Sequence, residues 1–170
     1  MTEQIEKLDQ EIQAQTSREG KYLTFALGNE EYGVGILKVK EIIGMVEITE
    51  MPNMPTYVKG VINLRGKVSP IIDLRMKFSM EPAEYTARTC IVLVEIDKGE
   101  GTTTLIGMVV DSVSEVMNIE ADGIEDPPEV GGMSTENILG VAKKDDKVIL
   151  LLDIDTVMNS DEMAALASAA

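Results

Sequence analysis

Over most of the chain, apolar and polar residues alternate with the period of a strand. Leu23, Phe25 and Leu27 alternate with Tyr22, Thr24 and Ala26, and Gly28-Asn29 follows as a turn. The run from Ile36 to Ile43 is ambiguous: its opening fits one helical turn and its end a strand. Glu47 to Met51 alternates until Pro52 and Pro55 break the run. Gly60 to Leu64 and Val68 to Ile72 flank Arg65-Gly66-Lys67, a hairpin signal. Pro70 has no N–H to give a ladder, so its nitrogen must face an edge or a bulge. A second set of strands is expected at Thr89 to Ile96, Thr103 to Val110, Ser114 to Ile119, Ile138 to Ala142 and Val148 to Leu152. Turns fall at Lys98-Gly99-Glu100-Gly101 and Lys144-Asp145-Asp146, and a surface loop runs through Asp126, Pro127, Pro128, Gly131 and Gly132.

The ends differ from this middle. Met1 to Arg18 is polar, with only Ile5, Leu8 and Ile12 at helical spacing, and reads as a flexible arm over residues 1–19. Ser160-Asp161-Glu162 followed by Met163, Ala164, Ala165 and Leu166 gives a helix start and then strong helix formers. The folded region is expected over residues 20–165, with 166–170 as a tail.

The two sets of strands resemble each other beyond what any two hairpins share, and read as a duplication. Gly60, Val61, Lys67, Val68 and Asp73 recur 80 positions later as Gly140, Val141, Lys147, Val148 and Asp153. Gly33, Val39 and Glu41 recur 74 positions later as Gly107, Val113 and Glu115. A duplicated set of about five short strands predicts a mainly β fold of two small barrels, an architecture that limits exposed strand edges. Half of the chain, at about 65 residues, buries little core alone. The two barrels are therefore expected to pack on each other as one unit.

Composition narrows the chemistry. The chain has 170 residues, of which 44% are hydrophobic but only 4% aromatic, so its core is aliphatic. A net charge of −15 disfavours nucleic acid and anionic membranes and leaves protein partners as the easier class. No apolar run is long enough to span a bilayer and no signal peptide opens the chain, so a cytoplasmic location is expected. With no histidine and one cysteine, the chain lacks the Ser-His and Cys-His nucleophile pairs, the commonest metal ligand and a thiolate zinc cluster. No cofactor, metal or catalytic residue is expected. Cys90, inside Cys90-Ile91-Val92-Leu93-Val94, reads as a small buried hydrophobe. Asp73 and Asp153 each end an apolar strand before a helix-like stretch, which makes them helix caps rather than an acid–base pair.

Differences between the copies mark what one half does alone. Asn63-Leu64-Arg65-Gly66 stands where the other half has Lys143-Lys144-Asp145-Asp146, an ordinary solvated turn. A hairpin tip with an exposed leucine and an arginine suits a protein contact. Glu41 is one candidate partner for Arg65 among many in so acidic a chain.

Val58-Lys59-Gly60-Val61-Ile62-Asn63-Leu64-Arg65-Gly66-Lys67-Val68-Ser69-Pro70-Ile71-Ile72-Asp73-Leu74-Arg75 resembles the signature stretch of the CheW family. Phe25 to Gly33 and Ile36 to Ile42 resemble its opening. The resemblance implies two five-stranded SH3-like barrels around a shared core, with short helices, one of them C-terminal. It implies a non-catalytic, free-standing adaptor between the cytoplasmic tip of a methyl-accepting chemoreceptor and the regulatory domain of the histidine kinase CheA. The adaptor is expected as a monomer when free, recruited to the inner-membrane receptor array. The alternative is a scaffold for a related receptor–kinase system outside chemotaxis. By position, Val39, Glu41, Leu64, Arg65, Cys90 and Ile91 fall at the receptor groove, with Glu41 and Arg65 paired. Ile48, Met51 and Lys59 fall on the face expected to meet the kinase.

Overall fold

The computed structural model describes residues 19–99, 101–127 and 137–157. The first eighteen residues, the loop positions Pro128, Glu129, Gly131 and Gly132, and the helix expected from Ser160 lie outside them.

Among the described residues there are eleven strands. They are β1 (Gly20–Leu27), β2 (Glu30–Gly35), β3 (Val39–Gly44), β4 (Val58–Leu64), β5 (Lys67–Asp73) and β6 (Cys90–Gly99). The rest are β7 (Thr102–Val110), β8 (Ser112–Ile119), β9 (Ile124–Glu125), β10 (Ile138–Lys144) and β11 (Lys147–Leu152). The ambiguous stretch resolves into a 3₁₀ turn at Ile36–Lys38 leading into β3. Two short helices, α1 (Leu74–Lys77) and α2 (Ile154–Val157), follow β5 and β11. Asp73 caps α1, its Oδ1 accepting from the N–H of Arg75 at 2.9 Å and of Met76 at 3.4 Å. Asp153 Oδ1 likewise accepts from Asp155 N–H at 3.2 Å. Glu47 to Met51 does not form the strand its alternation suggests; only Thr49 pairs, bridging Val61.

The duplication holds in space. Both hairpins, β4–β5 and β10–β11, carry a bulge at the same place, between Val58 and Gly60 and between Ile138 and Gly140. Ile71 lies opposite Gly107 in a parallel pair, and Leu151 lies opposite Gly33 in the matching one. The sheets do not, however, follow the halves of the chain. One runs β8-β1-β2-β11-β10-β9 and the other β3-β6-β7-β5-β4. Each takes a two-stranded hairpin from one half and the remaining strands from the other. The halves are thus exchanged, and neither can close a sheet alone.

This arrangement explains the unbroken apolar runs. Side chains alternate between the two faces of a strand, so a strand covered on both faces reads as continuously hydrophobic. Ile71, Ile91 and Leu93 fill the interior of one barrel with Ile62 and Val109. Their neighbours Ile72, Val92 and Val94 point the other way into a core shared with Leu23, Phe25, Val34 and Leu152 of the other sheet. Tyr22, Ile149 and Leu151, with Met117 and Ile119, fill the second barrel. Pro70 fits because the backbone of its partner Val61 turns to Thr49, with both bonds at 2.9 Å. The Pro70 nitrogen therefore points away from β4, just before the β5–β7 pairing begins at Ile71.

Candidate functional site

The β4–β5 hairpin closes on two residues with positive φ, Arg65 at 51° and Gly66 at 85°. Asn63 Oδ1 holds this turn by accepting from Gly66 N–H at 2.9 Å. Asp145 and Asp146, at 51° and 62°, make the same turn in the second barrel. The backbone is therefore duplicated and the side chains are not.

Glu41 sits on β3, just past a bulge in its pairing with β6. Strands β3 and β4 are the two edges of their sheet. Arg65 Nη1 nevertheless donates to Glu41 Oε1 at 3.3 Å, and Nη2 donates to Oε2. This fork-on-fork pair spans the mouth of the barrel and ties edge to edge. The Arg65 hydrogen bond holds the Glu41 carboxyl below the usual carboxylate range and raises the guanidinium in turn. The corresponding positions in the second barrel are Glu115 and Asp145, two acids, so no such pair can form there.

Other receptor-groove candidates divide. Leu64 is not the exposed leucine expected at a hairpin tip. It is half-buried and packs on the barrel interior beside Ile43, Met45 and Ile48, because the curled sheet folds the tip over that interior. Ile91 is fully buried opposite Ile43 and touches no solvent, so it can only support β3 from beneath. Val39 and Cys90 are half-buried against the shared core. They stand at opposite ends of β3, since Cys90 pairs with Gly44. Burial pushes the Cys90 thiol up, partly offset by the backbone of Val113. It is a packing residue with a half-open side, not a nucleophile.

The kinase-face candidates are brought together. Ile48, Met51 and Lys59 line one groove of about 620 Å³ with Met45, Val46, Glu50, Met54, Val58 and Tyr85. Its floor depends on Gly60, whose φ of 141° disfavours a side chain, and whose Cβ would lie 2.0 Å from the Thr49 carbonyl oxygen. Only glycine lets the Thr49 segment lie on β4. A hollow on the second barrel is lined by Glu19, Asn118, Ile119, Glu120 and Asp122.

Two linkages escaped sequence reasoning. Tyr85 Oη donates to Asp73 Oδ2 at 3.3 Å, and Lys59 Nζ lies 5.6 Å from the Tyr85 ring centre. The sole signal was an isolated aromatic in an otherwise polar stretch. Arg75 Nε donates to Asp111 Oδ1 at 2.7 Å, while Asp111 Oδ2 accepts from Gly28 N–H at 2.8 Å. These bonds lock α1 to the β1–β2 turn across the shared core. Among the described residues, no cluster of three or more acidic or cysteine side chains is arranged to hold a metal ion, and no helix is long and apolar enough to cross a membrane.

Comparison with known proteins gives a consistent result. Residues 21–162 match the family described as the CheW-like domain. The chain is 39% identical over 145 residues to the chemotaxis protein CheW of Klebsiella aerogenes, covering 85% of this chain and 84% of that one. It is 33% identical over 144 residues to a probable chemotaxis protein CheW of Rhizobium etli, covering 84% and 90%. Among solved structures, the scaffolding protein TtCheW of Thermoanaerobacter tengcongensis superposes with a TM-score of 0.75 at 35% identity, over 85% of this chain and 95% of that one.

Proposed function

The chain belongs to the CheW-like domain family, and from that premise we propose that it is a non-catalytic adaptor coupling methyl-accepting chemoreceptors to the histidine kinase CheA. In this role it acts in the cytoplasm, is a monomer when free and joins the receptor–kinase array at the membrane. The observation that carries the reading is that one barrel bears two separate surfaces with no residue in common. One is the Glu41–Arg65 pair over half-buried Leu64. The other is the methionine-rich groove of Ile48, Met51 and Lys59. An adaptor needs two such sites.

The tip of a chemoreceptor is a helical hairpin, which binds by laying an apolar stripe along a groove. The β3 edge, with Val39 and Cys90 half-open at its two ends, supplies apolar contact along its length. The Glu41–Arg65 pair holds β3 and the hairpin tip at a fixed spacing and offers charge to orient the helices. The groove lined by the segment that connects β3 to β4, with Lys59 and Tyr85, takes the kinase's regulatory domain. Contacts that rearrange during signalling are expected to bury on the order of 1,000 Å² or less each.

Titration calorimetry with a receptor-tip fragment and with the kinase regulatory domain tests this. Arg65→Ala is expected to weaken the receptor fragment alone. The pair acting as a unit, Glu41→Ala combined with Arg65→Ala should cost less than the sum of the single losses. Simple additivity, or an equal loss of kinase binding, would count against the assignment.

A further inference from the structure

Residues 80–88 join α1 to β6 without regular structure, yet they are pinned at both ends. Met80 N–H donates to the Arg75 carbonyl at 2.7 Å, and Arg75 Nη1 donates to the Glu81 carbonyl at 3.0 Å. At the far end, Thr86 N–H donates to Thr89 Oγ1 at 2.8 Å. Between these anchors residues 81–88 are all exposed, and Tyr85 is the one large apolar side chain among them, 42% exposed. Its hydroxyl is not free to swing. Asp73 is 4% exposed, uses Oδ1 to cap α1, and receives Tyr85 with Oδ2. Burial and the Asp73 charge both raise the Tyr85 phenol further above its ordinary value, so it stays protonated and donating. The ring thereby stands as a fixed wall of the groove, with the Lys59 ammonium 5.6 Å from its centre, within cation–π range.

We propose that Tyr85 is a partner-contacting residue of this groove, and that with Lys59 it selects an occupant pairing a large aliphatic side chain with a neighbouring carboxylate. The inference rests on the reading that the kinase regulatory domain fills the groove. Flexible methionines (Met45, Met51 and Met54) shape themselves to an aliphatic side chain, while the aromatic wall gives it a rigid face. Among the residues lining the groove Lys59 is the cation and Glu50 the carboxylate, so an incoming acid is met at the Lys59–Tyr85 wall. The ring limits where its ammonium can go, so the carboxylate it meets must lie beside the apolar anchor. The second barrel has Leu139 where the first has Lys59, which makes this preference a property of one face.

The test uses the full chain against the kinase regulatory domain, with the receptor-tip fragment as control, by calorimetry at two salt concentrations. Met51→Asp, which puts a charge in the groove, should abolish kinase binding. Tyr85→Ala should weaken it about tenfold, the size of loss seen for aromatic anchors. Tyr85→Phe, which keeps the wall and loses only the hydroxyl bond, should fall between. Lys59→Gln should weaken binding and flatten its salt dependence. Tyr85→Ala should flatten it too, and the double variant should lose less than the two singles combined. Receptor-tip affinity should be unchanged throughout. If Met51→Asp abolishes binding while Tyr85→Ala leaves it intact, the groove stands and Tyr85 has no part in it. If Tyr85→Ala weakens both partners equally, the segment is merely structural and the inference fails. If the wild type does not bind the kinase domain, or Met51→Asp binds like wild type, the reading of the groove itself falls and this inference with it.

Discussion

Gly33 and Gly107 occupy equivalent places in the two barrels, yet alanine should be tolerated at one and destabilising at the other. Each faces a barrel interior opposite the inner strand of a hairpin, Leu151 for Gly33 and Ile71 for Gly107. A Cβ at Gly33 would lie 3.1 Å from Leu151 Cδ2 and 3.4 Å from Ile149 Cγ2, which the ends of those side chains can relieve by small shifts. At Gly107 it would lie 2.4 Å from Ile71 Cδ1 and 2.8 Å from Ile91 Cγ2, both on fully buried residues. Gly→Ala gains about 0.4–1 kcal/mol by restricting the unfolded chain. Overpacking costs about 1–3 kcal/mol. Gly33→Ala is therefore expected near neutral, and Gly107→Ala destabilising by about 1–2 kcal/mol. Denaturant unfolding reads this as a lower midpoint at unchanged slope. Ile71→Val removes the clashing methyl and alone costs about 0.5–1.5 kcal/mol. Combined with Gly107→Ala it should cost less than the sum. Equal stability of the two alanine variants, or additivity with Ile71→Val, would refute the packing argument.

Two further predictions concern stability. Ser69 is 1% exposed with no hydrogen-bond partner for its hydroxyl, where the second barrel has the fully buried Ile149. Since an unmet buried hydroxyl costs about 1–3 kcal/mol, Ser69→Ala should raise stability by about 1 kcal/mol, and a lower melting temperature would contradict this. Asp111 is held below the ordinary aspartate value chiefly by its hydrogen bond from Arg75. A depressed folded value means its contribution is present above the ordinary value of 3.8 and is lost as pH falls through the folded one. The stability gap between wild type and Asp111→Asn should thus narrow as pH drops below about 4; a gap constant down to pH 2 would remove the ion pair from the account.

Local periodicity made most strands legible, and matching glycine, lysine and aspartate positions made the duplication legible. The exchange of strands was not, because parallel pairs such as Ile71 with Gly107 join residues far apart in the chain and leave no local trace. β9, at two residues, is too short to show a period. Leu64 looked exposed because a hairpin tip is ordinarily solvated, and only the curl of the sheet covers it. Ile91 entered the candidate site through the family resemblance, and the unbroken apolar run from Cys90 to Val94 carries no alternation that could have told which way it faces. The Glu41–Arg65 pair needed the two edges of one sheet to meet, which the spacing of 24 residues could suggest but not decide. Tyr85 went unnoticed because its role depends on Asp73, whose capping duty already accounted for its place.

The central claim is that one molecule holds a receptor and a kinase together. The most direct measurement is sedimentation of the chain with a receptor-tip fragment and the kinase regulatory domain, separately and mixed. The account predicts two binary complexes and, in the mixture, a ternary complex containing one copy of each. Competition, with the receptor fragment displacing the kinase domain from a folded sample, would contradict it.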